Sequence, residues 1–211
     1  NVKICATHAG ITVGEDGASH QTFEDIALMR TIPGMTVINP SDGVSAKKLL
    51  EQAVAMEGPC YVRLGRAKVP VFYEDSDQLT LGRGNLVRDG KDVTIVATGI
   101  MVSEAMAAAE KLKEDGIDAR IIDIHTIKPI DEEILIKAAQ ETGAIVTAEE
   151  HSIIGGLGSA VAEVIVKNCP VKMAMVGQKD TYGESGKPDE LKKKYGMTAE
   201  DIEVAVKTLI G

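Results

Sequence analysis

The sequence predicts an α/β protein made of two three-layer units with mostly parallel sheets, the first unit incomplete. Three observations carry this. Strand-like and helix-like segments alternate along most of the chain. Several strand-like segments, such as VTIVA (93–97), are apolar almost throughout, as expected of strands covered on both faces. Between residues 66 and 91 the text changes to proline, clustered acids and glycine, which divides the alternation in two.

The elements follow in order. NVKICAT (1–7) alternates and is β-branched, hence a strand. Residues 8–22 are polar and glycine-rich, hence a loop. FEDIALMR (23–30) spaces Phe23, Ile26 and Ala27 for a short amphipathic helix. MTVINP (35–40) is a strand that Pro40 stops, and Ser41 or Asp42 is placed to cap the helix that follows. CYVRLG (60–65) is the third strand, few for an open sheet. Residues 66–91 read as a linker leading into a hairpin. Strands are then expected at 92–99, 118–125, 144–150 and 171–177, with helices over 102–116, 131–143 and 157–169 between them. Two helices close the chain, the last opened by a capping box at Thr198 and Asp201.

Composition narrows the function. The 44% apolar and 26% charged residues are those of a folded protein of 211 residues. A net charge of −9 argues against a nucleic-acid surface, which needs a basic face. No apolar run is long enough for a membrane span. Three scattered cysteines (Cys5, Cys60, Cys169) suit a reducing compartment, so a cytoplasmic location is expected. The chain starts at Asn1 in a strand-like run, which suggests that it was cut from a larger polypeptide.

The first candidate site is the loop 8–21, which joins a strand to a helix where ligands bind open α/β sheets. Gly10, Gly14 and Gly17 permit close ligand approach, and His8, Glu15, Asp16 and His20 suit a polyhydroxylated ligand. Composition equally allows a solvated loop in which Asp16 and Ser19 cap turns. Arg63 and Arg66 end a strand and suit phosphate, but taken alone they read as surface arginines paired with acids. GGLGSA (155–160) opens a helix and lacks the full dinucleotide spacing, so it reads as close packing or a subunit contact ahead of an anion site. His125 and His151 have no neighbours at metal-ligand spacing and read as structural. Neither a zinc cluster nor a Gly-x-Ser-x-Gly elbow is present.

The stretch THAGITVGEDGASHQTFEDIALMRTIPGMTVINPSD (7–42) resembles the pyrimidine-binding domain of transketolase, and the likeness continues through PCYVRLGRAKVP (59–70). TIKPID (126–131), AEEHSIIGGLGSAVAE (148–163) and SGKPDELKKKYGMT (185–198) resemble that family's C-terminal domain. The resemblance implies a division into 1–72 (the rest of the pyrimidine domain), 73–91 (linker and hairpin) and 92–211 (C-terminal domain). It implies that the loop lines a substrate channel. His20 would act catalytically on the donor's hydroxyl and carbonyl, Asp16 would read a sugar hydroxyl, and His8 and Arg66 would hold the sugar's phosphate. The reaction implied is transfer of a two-carbon ketol unit from a ketose phosphate to an aldose phosphate by thiamine diphosphate with magnesium. The glutamate that activates the cofactor in this family lies upstream of the matched region, and the Gly-Asp-Gly…Asn diphosphate motif is absent. The resemblance therefore implies a chain inactive alone: a C-terminal section, taken as the subunit of a split enzyme, with a transketolase N-terminal section as partner and a homodimer of the assembled unit.

Two related families share the layout. Deoxyxylulose-phosphate synthase typically has arginine where His8 stands, and the β subunit of 2-oxoacid dehydrogenases lacks Gly-Glu-Asp-Gly, so His8 and Glu15–Asp16 favour transketolase. A non-catalytic dimerisation module is the alternative from another class.

Overall fold

A computed structural model describes residues 1–211. The chain runs β1 (Lys3–Ala6), a 3-10 helix (Ile11–Asp16), α1 (Asp25–Thr31), β2 (Thr36–Ile38), α2 (Gly43–Ala55) and β3 (Cys60–Arg63). After a long connection come β4 (Asn85–Arg88), β5 (Val93–Ala97), α3 (Met101–Glu114), β6 (Ala119–Asp123), β7 (Thr126–Lys128) and α4 (Glu132–Thr142). The chain ends with β8 (Ala144–Ser152), α5 (Leu157–Asn168), β9 (Lys172–Gln178), α6 (Pro188–Lys194) and α7 (Ala199–Ile210). No helix is long and apolar enough to cross a membrane.

The strands form two sheets, ordered β1-β3-β2-β7 and β4-β6-β5-β8-β9. All neighbours are parallel except β7 on β2 and β4 on β6. The two-unit α/β reading holds, with two corrections. The hairpin expected before residue 92 does not form: β4 pairs with β6 at the sheet edge, and β6 lies between β4 and β5. The first sheet gains a fourth strand, β7, from far along the chain. The polar loop 8–22 also contains the unexpected 3-10 helix.

Helix starts follow local chemistry. The Asp42 side chain caps α2 in a capping box with Ser45, Asp131 caps α4, and Thr198 with Asp201 forms the expected box at α7.

Alternating side chains of the second sheet feed two layers. Ile95, Ile121 and Val146 pack with α3 and α7 residues such as Val102, Leu112, Ile202 and Val206. Val96, Ile122 and Ile145 pack with α4 and α5 residues such as Leu135 and Val161. This second layer also takes in Ile26, Val37 and Tyr61 from α1, β2 and β3. The first sheet therefore lies with one face against the second unit, while α2 covers its other face through Leu49 and Ala53. This arrangement brings the carboxyl ends of β1 and β3 beside the carboxyl end of β8.

Candidate functional site

β1 and β3 run parallel with Ala6 opposite Arg63, so the residues after each strand emerge together. The Leu64 amide donates to the Ala6 carbonyl at 2.8 Å, and the Ala9 amide returns to the Leu64 carbonyl at 3.2 Å. This ladder places His8 beside the segment that carries Arg66. His8 is exposed, its backbone is left-handed at φ 66°, and its Nδ1 lies 2.9 Å from Thr7 Oγ1.

The chain then turns through Gly10, whose amide donates to the Thr22 carbonyl at 3.1 Å, and enters the 3-10 helix. Gly14 breaks that helix with φ 81° and ψ −121°, a conformation open to glycine. The break leaves Glu15 and Asp16 in solvent. Arg66 donates through Nη1 to the Val13 carbonyl, and the same nitrogen lies 3.5 Å from Asp16 Oδ2 and 3.9 Å from Glu15 Oε2. Asp16 and Arg66 are thus brought together, and His8 is tied to them through the backbone. His20 is exposed farther along the loop, its amide bonded to the Gly17 carbonyl at 3.0 Å and its Nδ1 3.0 Å from Ser19 Oγ.

Beneath this rim lies a layer of buried polar side chains, most of them hydrogen-bonded. Gln21 Nε2 donates to the carbonyls of Ile11, Gly14 and Glu184 at 3.3, 3.2 and 2.9 Å. Ser185 Oγ donates to the Glu15 carbonyl at 2.7 Å, so the second unit grips the loop from outside. Glu150, at the carboxyl end of β8, accepts from the Thr12 amide at 2.7 Å. Arg63 is not the surface arginine its sequence position suggested. It is 3% exposed, bonded through Nε to Asp25 at 2.8 Å and through Nη2 to the Glu150 carbonyl at 2.9 Å. Burial works to raise the Asp25 carboxyl, but the Arg63 charge and the Tyr61 hydroxyl, 2.6 Å away, hold it below its usual range.

The GGLG turn has a local role. The Glu149 carboxylate occupies the N-terminus of α5, accepting from the Leu157 and Gly158 amides at 2.6 and 2.8 Å. The anion site offered by this helix is therefore filled from within the chain. Burial pushes the Glu149 carboxyl up to about 7 although both amides oppose it. A side chain at Gly158 would meet Met175 Sδ and Thr147 Oγ1 at 2.8 Å, which makes this a close packing point. His151 and His125 are fully buried, and burial holds both near 4 and neutral. His125 bridges Thr126 Oγ1 at 3.0 Å and Asn85 Oδ1 at 3.1 Å. No group of three or more His, Cys, Asp or Glu side chains is arranged to hold a metal.

Sequence reading overlooked Gln21, Asp25 and Glu150 as parts of this scaffold. The signal for Glu150 was two adjacent acids ending an apolar strand, where a carboxylate needs a buried partner.

Comparison with known proteins adds the following. Residues 1–71 match the family described as transketolase, pyrimidine binding domain, and residues 82–202 match transketolase, C-terminal domain. The chain is 53% identical over 205 residues to a putative transketolase C-terminal section of Methanocaldococcus jannaschii, covering 96% of this chain and 64% of that protein. It is 48% identical to a 6-deoxy-6-sulfo-D-fructose transketolase subunit of Clostridium sp. (strain MSTE9), covering 96% and 63%. A solved structure described as a split gene transketolase, inactive beta4 tetramer, superimposes with a TM-score of 0.94 at 50% identity, covering 100% of this chain and 67% of that one. The chain thus spans somewhat under two thirds of the length of these two relatives. With two family models matching in sequence along nearly its whole length, the chain belongs to the transketolase family.

Proposed function

We propose that this chain is the C-terminal subunit of a split transketolase that moves a two-carbon ketol unit from a ketose phosphate to an aldose phosphate. The observation that carries the reading is the rim of loop 8–21, where Arg66, Asp16 and His8 gather at one strand edge over a buried, hydrogen-bonded scaffold. The relatives that are subunits or sections are covered to 63–65% of their length, whereas transketolase of Homo sapiens is covered to 34%, which fits a two-chain enzyme. Residues 1–72 are taken as the remainder of the pyrimidine domain, 73–91 as linker and 92–211 as the C-terminal domain.

Each side chain has a role suited to its setting. The recorded partners of Arg66 all fall on Nη1, which leaves the Nη2 and Nε donors for a phosphate oxygen pair, with His8 as a second donor. The Asp16 carboxylate accepts from a sugar hydroxyl. When the Ser19 hydroxyl donates to His20 Nδ1, the ring carries its proton on Nε2 and donates a hydrogen bond from there to the substrate's carbonyl or hydroxyl oxygen.

The family implies dependence on thiamine diphosphate, which supplies the carbanion chemistry when bound. The donor set here does not fit a magnesium-diphosphate cradle: Arg63 is committed to Asp25, and no metal-ligating cluster exists. The cofactor's magnesium and most of its ligands are assigned to an N-terminal partner subunit. The assembled unit is proposed to pair as a homodimer in the cytoplasm, where three free cysteines are at home. The solved relative described as an inactive tetramer of β subunits supports the expectation that this chain is inactive alone.

The test is made on the enzyme reconstituted with its N-terminal partner. His20→Ala should lower kcat by roughly a hundredfold or more with assembly intact. Arg66→Ala should raise KM for phosphorylated donors about tenfold and spare unphosphorylated ones. Activity confined to pyruvate would assign the chain to a related family, and a His20→Ala enzyme of full activity would leave it an assembly module.

A further inference from the structure

We infer that Glu150, contributed by the second unit, is a positioning residue for the substrate loop: it fixes the 3-10 turn that aims Arg66. The inference rests on the reading of Arg66 as the phosphate-binding group.

Glu150 is 3% exposed at the carboxyl end of β8. Its Oε1 accepts from the Thr12 amide at 2.7 Å across 138 residues of sequence. The carboxyl also fills the space under Gly10, where an added Cβ would lie 2.3 Å from Cδ and 2.5 Å from each oxygen. One residue beyond Thr12, the Val13 carbonyl accepts from Arg66 Nη1. Arg66 itself lies on an exposed stretch outside any strand or helix. The turn is therefore its anchor, and Glu150 is what holds the turn in register from below.

The cost of this arrangement argues for a purpose. A carboxylate taken out of water is expensive unless compensated, and an apolar side chain would fill the same space at lower cost. Glu150 makes no direct side-chain ion pair; burial pushes its carboxyl up, while the Arg63 charge and the Thr12 amide hold it down. What an apolar residue cannot supply is a fixed acceptor for a backbone N–H inside a glycine-flanked turn. Neighbouring contacts from the second unit act in the same sense: Ile11 is fully buried in the core built on α3 and α7, and Ser185 holds the Glu15 carbonyl.

The test compares Glu150→Ala, Glu150→Gln and Arg66→Ala in the reconstituted enzyme, with a phosphorylated and an unphosphorylated ketose donor. Amide hydrogen exchange over residues 11–17 is measured on the same proteins. Glu150→Ala should raise KM for the phosphorylated donor roughly tenfold, the size of one lost charge-assisted hydrogen bond, and speed exchange in the turn. KM for the unphosphorylated donor should stay within about twofold. Glu150→Gln keeps an oxygen acceptor at the same reach and should restore both readouts. Should Glu150→Ala fail to fold, Glu150→Asp, one methylene too short to reach Thr12, carries the same expectation. A folded Ala or Asp variant with wild-type KM ratio and wild-type exchange overturns the inference, as does a Gln variant as impaired as Ala. If Arg66→Ala shows no phosphate selectivity, the reading of Arg66 fails by itself, and exchange in the turn still decides whether Glu150 fixes it.

Discussion

At the scale of single residues, Asp123 shows how burial converts into pH dependence. It ends β6 with no exposure; Ser41 and Tyr73 both donate to Oδ2, Tyr73 at 3.0 Å, and Oδ1 has no partner. Burial pushes its carboxyl up to about 7, against the pull of those two hydroxyls. The sign then follows. The folded value lies above the unfolded one of about 4, so between those values the native state keeps a proton that the unfolded chain has released. The contribution of Asp123 to stability is fullest below about pH 4, falls as pH rises to about 7, and is flat beyond. His125 and His151 act in the opposite sense, since both are held near 4 and cost stability as pH falls from about 6.5. Asp123→Asn should therefore gain on the wild type between pH 5 and pH 8 in urea denaturation, and an unchanged difference at the two values would remove Asp123 as the cause. Residues of this kind divide what was legible. His8, Asp16, His20 and Arg66 stand in one short loop and the strand end beside it, where residue type left a solvated loop equally open and the family resemblance alone singled them out. Glu150 and Asp25 draw their meaning from partners far along the chain, Thr12 across 138 residues and Arg63 across 38, and no local pattern encodes those distances.

At the scale of elements, the alternation of strands and helices was legible because it rests on local periodicity and caps. The box at the start of α7 is the clearest case: Thr198 accepts from the Asp201 amide, and Asp201 Oδ2 accepts from the Thr198 amide at 3.0 Å. Thr198→Ala should cost about 1 kcal/mol in chemical denaturation, with Thr198→Ser near neutral. A loss below about 0.3 kcal/mol would mean that packing of Ile202 and Val206 alone sets this helix. The elements that were not legible are those whose partners are chosen by the sheet. β7 has three residues, too few for a pattern, and exists because β2 offers it an edge. β4 lies one turn from β5, yet pairs with β6, because β5 already has β6 and β8 on its two sides. The 3-10 helix, kinked at Gly14, lies where composition records only a loop.

At the scale of the molecule, the two sheets share their apolar interior, and this sets how the protein should unfold. Ile26, Val37 and Tyr61 of the first unit lie in one cluster with Val96, Ile122 and Leu135 of the second. Ile11 and Phe23, from the candidate substrate loop and its exit, lie in the other large cluster with Val102, Leu191 and Val206. β7, deep in the second half of the sequence, completes the first sheet. Neither unit can open without exposing apolar surface of the other, so a single transition is expected from the whole chain. Ile11→Ala tests this from one point. Truncating a fully buried isoleucine should cost about 2–5 kcal/mol. The coupling requires that this loss lower the stability of both sheets together, so native-state hydrogen exchange should show the slowest amides of β3 and of β8 shifted by similar amounts. Faster exchange confined to the first sheet, with β8 amides unmoved, would mean that the units unfold separately and that loop 8–21 is only laid against the second unit. Equal shifts would tie the loop's order to the stability of the whole chain, which is the condition under which a residue as remote in sequence as Glu150 can hold loop 8–21 in place.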